Sequence, residues 1–416
     1  MSRIAVIFIF ATVLLTSCTE KNHELSQWRG PNRDGIYNET GLLKQWPEEG
    51  PEMLWSYENL GMGHSSVAVA HNKVYVTGVK DTVSSMGTLF TFDLDGKLLW
   101  QKDYGQGFTL NFHGTRSTPV VVDDLIYIES GMGKIYCLNS ENGDEVWSVD
   151  FIEDLGVDSV IQFGFSESVL IDGDGLVCVP GGAVNNVVKL DRFTGDLIWA
   201  SEGFKEPATY NSPILIEHNG QRLIIAMTAN SILGIDADTG EMYWRVEHTQ
   251  RNKIHAITPV YAQGKIVVAS ADRNETSGMV QLQLSDDGKN AEVVWRNQDL
   301  RGFMGGIIKL DTCIYAAAHM RKNWQVINWN TGEMLAQNKE FGGGPIIYAD
   351  GLFYGYAEND GEIALMDASP EKFEIISRFE VPLGTDQHWA HPVIADKKLF
   401  VRHGNALMVY DIAAKE

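Results

Sequence analysis

The sequence predicts an all-β protein that folds as a single eight-bladed β-propeller of four-stranded antiparallel blades. Three observations support this prediction. A motif recurs about every 40–50 residues, the segments between its copies alternate apolar and polar residues as β-strands do, and no segment has the apolar period of a helix. The chain has 416 residues, of which 44% are hydrophobic. A closed array of repeats of this length can form one domain.

The motif is a hairpin in which an Asp or Asn is followed by a turn, a Gly and then a Trp. Clear copies are Leu190–Trp199 and Ile235–Trp244, and a copy that has lost its Trp ends at Ala336. The Asp or Asn bonds to the turn backbone, and the Gly supplies a positive φ. The Trp is expected to pack between neighbouring sheets. The tryptophans assigned to this packing are Trp55, Trp100, Trp147, Trp199, Trp244 and Trp295.

The number of blades follows from the residues that begin each repeat. There are eight such starts: Ser66-Val67, Thr118-Pro119, Glu167-Ser168, Ser212-Pro213, Thr258-Pro259, Gly306-Ile307, Gly344-Pro345 and His391-Pro392. The last repeat has only three apparent strands before the chain ends. The strand around Leu54–Tyr57 has a hairpin-end Trp but no preceding repeat, so we expect it to complete the last blade and remove an exposed edge. The predicted propeller spans residues 51–412, with a tail at 413–416.

The N-terminus predicts export and lipid attachment. Arg3 precedes an apolar run from Ile4 to Leu15, which is the length of a signal-peptide core and too short to span a bilayer. The run ends in Leu15-Thr-Ser-Cys18, which resembles a bacterial lipobox. Residues 1–17 are therefore predicted to be a signal peptide, with Cys18 acylated and anchored in the membrane. Residues 18–50 are predicted to be a tether and a strap on the outside of the propeller.

Charge and cysteine content narrow the possible partners. Lys and Arg number 33 and Asp and Glu number 55, a formal charge of −22. Nucleic acid is an unsuitable partner because phosphate binding depends on clustered Lys and Arg. Besides Cys18, an exported chain would contain three cysteines, Cys137, Cys178 and Cys313, and an odd number leaves at least one of them unpaired. Cys137 and Cys178 lie in apolar strand-like runs, so these two are interpreted as buried thiols. We expect a monomer.

Polar and aromatic residues cluster where the repeats begin, at the predicted mouth of the central funnel. Glu167 and His391 stand at starts where the other copies have small residues. Residues two positions earlier share a strand face with the starts and add further groups. The candidate ligand-binding residues are His64, His113, Arg116, Glu167, Tyr210, Asn211, His255, Phe303, His388, Trp389 and His391. They predict a pocket for an anionic or polyhydroxylated ligand. The alternative is a water-filled mouth in which the histidines only cap strand ends.

The hairpins quoted above resemble the tryptophan-docking repeats of the pyrroloquinoline-quinone (PQQ) propeller superfamily, over essentially all of residues 50–412. The segment Gln27–Gly35 resembles the opening of exported PQQ-like propellers. The superfamily contains quinoprotein alcohol dehydrogenases. It also contains a non-enzymatic lipoprotein of the outer-membrane β-barrel assembly machinery. The resemblance therefore leaves both an enzyme and a scaffold open.

The resemblance implies that a PQQ enzyme would need cationic partners for the quinone carboxylates and a Ca²⁺ ion. Glu167 and Asn211 are the candidate Ca²⁺ ligands, and Glu167 would also be the candidate catalytic group. Three features of this sequence differ from those of the quinoprotein dehydrogenases. The chain has no vicinal Cys-Cys, no Asp at a strand start and no room for covering insertions.

The leading hypothesis is therefore a lipid-anchored binding or scaffold protein of the bacterial cell envelope, with a small ligand or an envelope protein as its partner. The absence of Asp after Cys18 favours the outer membrane, with the leaflet left open. The alternatives are a PQQ- and Ca²⁺-dependent alcohol or sugar dehydrogenase, and a carbohydrate-binding or carbohydrate-processing funnel without PQQ.

Overall fold

The computed structural model describes residues 25–81, 83–271, 275–300, 302–319, 322–371 and 373–415. Eight four-stranded antiparallel sheets form the ring of a β-propeller, which confirms the predicted fold class. The described residues contain no helix, and therefore no helix long and apolar enough to cross a membrane. Cys18 and the predicted signal peptide lie outside the described residues.

Each blade is given from its inner strand, which faces the central channel, to its outer strand. Blade 1 is Ala68–Ala70, Lys73–Val79, Met86–Asp93 and Leu98–Gln106; blade 2 is Val120–Val122, Leu125–Ser130, Lys134–Asn139 and Glu145–Asp150. Blade 3 is Leu170–Asp172, Gly175–Cys178, Asn185–Asp191 and Leu197–Glu202; blade 4 is Ile214–His218, Gln221–Met227, Ser231–Asp236 and Met242–Glu247. A short pair, Gly181–Gly182 with Glu206–Pro207, links the loops of blade 3.

The second half of the ring repeats this arrangement. Blade 5 is Val260–Ala262, Lys265–Ala269, Met279–Leu284 and Ala291–Asn297; blade 6 is Ile307–Leu310, Cys313–Ala317, Trp324–Asn328 and Met334–Asn338. Blade 7 is Ile346–Ala349, Leu352–Tyr356, Glu362–Asp367 and Ile375–Glu380; blade 8 is Val393–Ala395, Lys398–His403, Ala406–Asp411 and Met53–Tyr57. We call the face where inner strands begin the funnel face, and the face where they end the turn face.

Blade 8 closes the ring as predicted. Its outer strand, Met53–Tyr57, comes from the N-terminal part of the chain and pairs antiparallel with Ala406–Asp411. The register places Trp55 opposite Val409 and Tyr57 opposite Leu407. The first and last segments of the propeller are thus held together by backbone hydrogen bonds.

The tryptophans of the hairpins join each blade to the next. The indole of Trp147 donates to the carbonyl of Arg192, 3.0 Å away in the turn of blade 3, and Trp199 donates to Ala237 in the turn of blade 4. Trp55, Trp244 and Trp295 make the equivalent bond to the turn of the following blade. The turn glycine lies under the ring, because a Cβ on Gly195 would be 2.9 Å from Trp147. Five of the six predicted tryptophans join neighbouring sheets in this way. Trp100 lies over Gly143 of blade 2, but its indole N–H has no hydrogen-bond partner among the described residues.

Blade 7 has Ser377, and blade 6 has Ala336, at the position where the other six outer strands carry the Trp. In blade 7 a residue from outside the repeats takes its place. Trp46 packs against Phe379 and Tyr354, with ring centroids 5.3 and 5.7 Å apart. The backbone N–H of Trp46 donates to the Ser377 hydroxyl at 3.0 Å. Trp46 is 4% exposed and belongs to the same core as Tyr410 of blade 8. The N-terminal segment therefore supplies an aromatic ring at the junction of blades 7 and 8.

Residues 25–37, which we call the crossing segment, differ from the prediction because they pass through the channel rather than around the outside. Leu25 and Ser26 pair with the free edge of the blade 2 inner strand. Ile36 and Tyr37 pair in parallel with the blade 7 inner strand. Only the residues after 37 follow the outside, where Leu42 bridges to Ala413. The sequence analysis placed the segment outside because the repeats that form the ring begin only after residue 50.

The crossing segment contacts all eight blades. The Arg33 guanidinium donates to the carbonyls of Ser168 and Val169 next to blade 3 and Pro213 next to blade 4. Bonds from the rest of the segment reach the other six blades, at Val69 (blade 1), Val121 and Val122 (blade 2), Thr258 (blade 5), Ile307 (blade 6), Tyr348 and Ala349 (blade 7) and His391 (blade 8). The segment thus acts as a central crosslink of the ring.

The tryptophan contacts predict that two glycines with nearly the same backbone φ differ in how much stability is lost when each is replaced by Ala. Gly195 has a φ of 80° under Trp147, whereas Gly220 has a φ of 83° with no atom within 4 Å of an added Cβ. Gly220→Ala should lower the free energy of unfolding by about 1 kcal/mol, from the positive φ alone. Gly195→Ala should lose roughly 1–3 kcal/mol more, because its methyl group displaces the indole. Urea denaturation measures both, and equal losses would contradict the docking role of Trp147.

Candidate functional site

A cavity opens on the funnel face. Its volume is about 540 Å³, and the side chain of Trp28 from the crossing segment lines it. Trp28 is held from two sides: its indole donates to the Thr258 hydroxyl at 2.9 Å, and its ring contacts His391 edge-on with centroids 4.7 Å apart. Because the crossing segment spans the channel, the cavity has its opening on the funnel face.

Aromatic rings form a continuous wall of this cavity. Phe112 contacts Trp389 on one side and Phe163 on the other, with centroids 5.2 and 6.0 Å apart. Phe163 in turn contacts Tyr210 at 5.9 Å. These rings come from the connections that lead into blades 2, 3, 4 and 8, so the wall depends on closure of the whole ring. Such a wall offers flat apolar faces to a ring-shaped ligand.

Arg116 places a positive charge on the cavity wall. Its Nη2 donates to the backbone carbonyls of Asn111 and Phe112 at 3.1 and 2.6 Å, and its guanidinium stacks over Phe108 at 5.0 Å. Its Nη1 has no hydrogen-bond partner among the described residues. Burial lowers the pKa of Arg116 to about 10, so it remains a cation at neutral pH. An unpaired donor on a fixed cation suits a carboxylate or another anionic group.

Two of the three histidines that line the cavity, His64 and His391, are neutral at physiological pH. Burial, with the charges of Arg402 and Arg116 added, lowers the pKa of His64 to about 3. Burial next to Arg29 likewise lowers the pKa of His391 to about 3. His391 Nε2 donates to the carbonyl of Met304 at 2.7 Å, which leaves Nδ1 as an acceptor facing Arg29. These imidazoles offer hydrogen bonds rather than positive charge.

Two further polar residues of the wall, His319 and Glu358, were missed by the sequence analysis. His319 Nδ1 lies 3.0 Å from a carboxylate oxygen of Glu358, and the imidazole stacks on Phe303 with centroids 4.3 Å apart. Each residue stands two positions past the end of a second strand, Cys313–Ala317 in blade 6 and Leu352–Tyr356 in blade 7. The sequence analysis compared only first-strand starts. A comparison of second-strand ends across the repeats would have found both.

Six of the eleven predicted site residues line the cavity: His64, Arg116, Tyr210, Phe303, Trp389 and His391. The other five are not among its lining residues. His113 is exposed, whereas Glu167, Asn211, His255 and His388 are buried beside it or between blades. His255 bonds to the carbonyl of Ala229 and stacks with His248, and His388 bonds to the hydroxyl of Tyr356. The expectation that all eleven share one face of the funnel therefore holds only in part.

Glu167 forms a buried carboxyl pair with Glu129. The backbone N–H of Glu167 donates to Glu129 at 3.2 Å, and the Glu167 carboxylate accepts the backbone N–H of Val179 at 2.8 Å. Burial raises the pKa of Glu167 to about 8, and burial together with the Glu167 charge raises that of Glu129. The two carboxyl groups therefore do not both ionise at neutral pH.

The residues present do not fit a PQQ and Ca²⁺ centre. Glu167 Oε1 and both polar atoms of the Asn211 amide are buried without partners, as open ligand positions would be. Neither residue lines the cavity that would hold the quinone, however, and Arg33 lies beside them on the carbonyls of Ser168 and Pro213. Across the described residues, no group of three or more His, Cys, Asp or Glu side chains is arranged to hold a metal. We derive no chemistry through this cofactor.

Comparison with known proteins agrees with this architecture of a PQQ-like propeller. The family described as outer membrane protein assembly factor BamB matches residues 36–182 and 85–333. These matches together span residues 36–333, well over half of the sequence, and the chain belongs to that family. A curated relative, outer membrane protein assembly factor BamB of Kangiella koreensis, is 27% identical over 158 residues. That match covers 36% of this chain and 36% of the relative, so the chain spans about a third of the relative's length.

Solved structures share the fold over nearly the whole chain. BamB from Moraxella catarrhalis superposes with a TM-score of 0.60 at 14% identity, covering 88% of this chain and 98% of its own. Quinohemoprotein alcohol dehydrogenase from Comamonas testosteroni gives a TM-score of 0.63 at 10% identity, covering 92% and 80%. At such identities the likeness concerns the fold, which an assembly factor and a dehydrogenase have in common.

The carboxyl pair predicts a pH-dependent stability. The folded-state pKa of Glu167, about 8, is above the ordinary value of 4.5. Its contribution to stability is therefore fully present below pH 4.5 and is lost as the pH rises through 8. Glu167→Gln should raise the free energy of unfolding at pH 8.5 by roughly 1–3 kcal/mol relative to wild type, with no gain at pH 4.5.

Urea denaturation at both pH values checks this expectation. Glu292→Gln, on the exposed outer strand of blade 5, is the control and should change neither value by more than about 0.5 kcal/mol. A loss of stability at pH 8.5 in Glu167→Gln would mean that the carboxylate is charged and paired in the folded protein.

Proposed function

We propose that this protein is a lipid-anchored binding protein of the bacterial cell envelope whose funnel holds a ring-shaped, polyhydroxylated ligand of the carbohydrate class. The observation that carries the proposal is the cavity of about 540 Å³ on the funnel face, with aromatic walls and a few polar groups. Cavities of this kind are the usual form of small-molecule sites. The predicted lipobox at Cys18 and the BamB family membership support the envelope location and favour the outer membrane.

The chemistry of the wall supports a sugar in particular. The faces of Trp389 and Phe112 can stack on the apolar side of a pyranose ring. His64 Nδ1 and Arg116 Nη1 are buried without partners on the same wall, and they can bond to hydroxyl or carboxylate oxygens. The Glu358 carboxylate with His319 offers an acceptor for hydroxyl groups on the opposite side. Each polar group of the wall can therefore form a hydrogen bond with a hydroxyl or carboxylate group of a carbohydrate.

A scaffold role among envelope assembly proteins is the second candidate, and family membership favours it. It is compatible with a ligand in the funnel, because a partner protein would use the outer surfaces of the blades. The dehydrogenase alternative is not proposed, because the candidate Ca²⁺ ligands Glu167 and Asn211 do not line the cavity.

The proposal predicts saturable binding of oligosaccharides that depends on the aromatic wall. The mature protein is screened on an array of bacterial and plant glycans, and hits are titrated by calorimetry. Trp389→Ala removes one stacking face and should weaken binding roughly two- to tenfold, since aromatic contacts contribute about 0.5–1.5 kcal/mol beyond their buried area. A ligand at 100 times its Kd should also raise the unfolding free energy of the wild type by about 2.7 kcal/mol.

Trp100→Ala is the matched control, because this tryptophan lies in the outer strand of blade 1, away from the funnel. It should lower stability but leave the affinity of the folded protein unchanged. If no glycan binds, or if both variants reduce affinity alike, the funnel is not a carbohydrate site.

A further inference from the structure

A second cavity lies beside the funnel and differs from it in charge. We call it the basic groove. Its volume is about 450 Å³, and its walls include the loops at residues 157–162 and 251–253 together with Lys205 and Tyr210. All these residues lie in connections that lead from an outer strand to the next inner strand. The basic groove therefore opens on the funnel face, as the main cavity does.

The basic groove adjoins the funnel. Tyr210 lines both cavities. Two loops pass from one cavity to the other between consecutive residues: Gln162 lines the groove and Phe163 the funnel, and Lys253 lines the groove and Ile254 the funnel. The hydroxyl of Tyr210 accepts the backbone N–H of Phe163 at 3.3 Å, which fixes this dividing wall. Because both cavities open on the same face, a ligand seated in the funnel can extend over this wall into the groove.

The charge of the groove is opposite to that of the protein. The whole chain has a formal charge of −22. In the groove, Lys205, Arg251 and Lys253 face a single lining carboxylate, Asp158. The side chains of Lys205 and Lys253 are exposed. Within the described part of the chain, neither ammonium group has a carboxylate within 4 Å. A local group of positive charges attracts an anionic ligand, even though the net negative charge of the rest of the protein repels it.

Both lysines stand on fixed backbone rather than on loose loops. Lys205 and Lys253 have φ values of 59° and 58°, in the left-handed region of the backbone that residues other than Gly, Asn and Asp rarely adopt. The turn at Lys253 is held by Gln250, whose buried amide accepts the backbone N–H groups of Asn252 and Ile254. Lys205 precedes Glu206–Pro207, which pairs with Gly181–Gly182. These contacts keep both lysines at the groove.

We propose that the basic groove is a subsite for the acidic group of an anionic oligosaccharide whose ring occupies the funnel. This inference rests on the proposed function and adds the substrate class: the ligand is a chain of at least two sugar units that carries carboxylate or sulfate groups. Lys205 and Lys253 bind the acidic group in the groove, and Arg116 binds polar oxygens of the unit in the funnel.

The test uses pairs of oligosaccharides that differ only in charge. The probes are uronate oligomers of the alginate, pectin and glycosaminoglycan types, each compared with its carboxyl-reduced counterpart, and sulfated forms of the last type. Wild type should bind at least one acidic oligomer about tenfold more tightly than its reduced counterpart. This preference should weaken as salt is raised, because the groove is exposed to solvent.

The double variant Lys205→Asn with Lys253→Asn removes the charges and retains a residue that tolerates a positive φ. It should abolish the preference for the acidic oligomer and leave the affinity for the reduced oligomer unchanged. Replacement of both lysines by Arg should preserve the preference. Lys397→Asn is the matched control: Lys397 is exposed, has a φ of 55° and lies in the hairpin turn of blade 8 on the turn face. It should behave as wild type.

The outcomes separate the two proposals. If acidic and reduced oligomers bind equally, or if the double Asn variant keeps the preference, the basic groove is not an acid-group subsite and the funnel proposal stands. If neither kind of oligomer binds to the wild type, the funnel proposal fails and the groove proposal fails with it.

Discussion

The constraint on which the rest of this structure depends is the passage of residues 25–37 through the centre of the ring. Arg29 and Arg33 are 3% and 2% exposed, and their guanidinium groups donate to backbone carbonyls next to blades 3, 4 and 6. Burying two cations is costly unless their donors find partners, and here every guanidinium nitrogen except Arg29 Nε has one. The carbonyls at the inner-strand starts provide those partners only when the blades are assembled around the segment, which couples closure of the ring to the path of the chain.

The same passage creates the candidate site. A propeller channel is open at both faces unless something fills it, and here Trp28 forms part of the lining of a cavity that opens on the funnel face. The contacts of Trp28 with Thr258 and His391 fix that ring. The funnel and the basic groove then draw their walls from connections of several blades. Function on this fold therefore resides in loops held by a rigid scaffold, with an additional wall supplied by the N-terminal segment.

The repeats made the blades predictable, whereas the channel depends on contacts that no repeat encodes. The repeat starts predicted the blade number, and the hairpin motif predicted the tryptophan packing and the closing strand at Met53–Tyr57. Neither could predict the path of residues 25–37, because Arg33 meets its backbone partners 135–180 positions along the chain. Six of the eleven predicted site residues line the cavity, because strand starts share one face. His319 and Glu358 were missed because they follow second strands.

The measurement that tests this account most directly is native-state hydrogen exchange of the peptides that cover residues 25–37. The crossing segment pairs with two inner strands and is enclosed by all eight blades. Its paired amides, such as Gly35 bonded to Arg29, should therefore exchange as slowly as those of the inner strands and be released only by global unfolding. Exchange at the rate of an unstructured chain, with the blades still protected, would contradict the central role given to this segment.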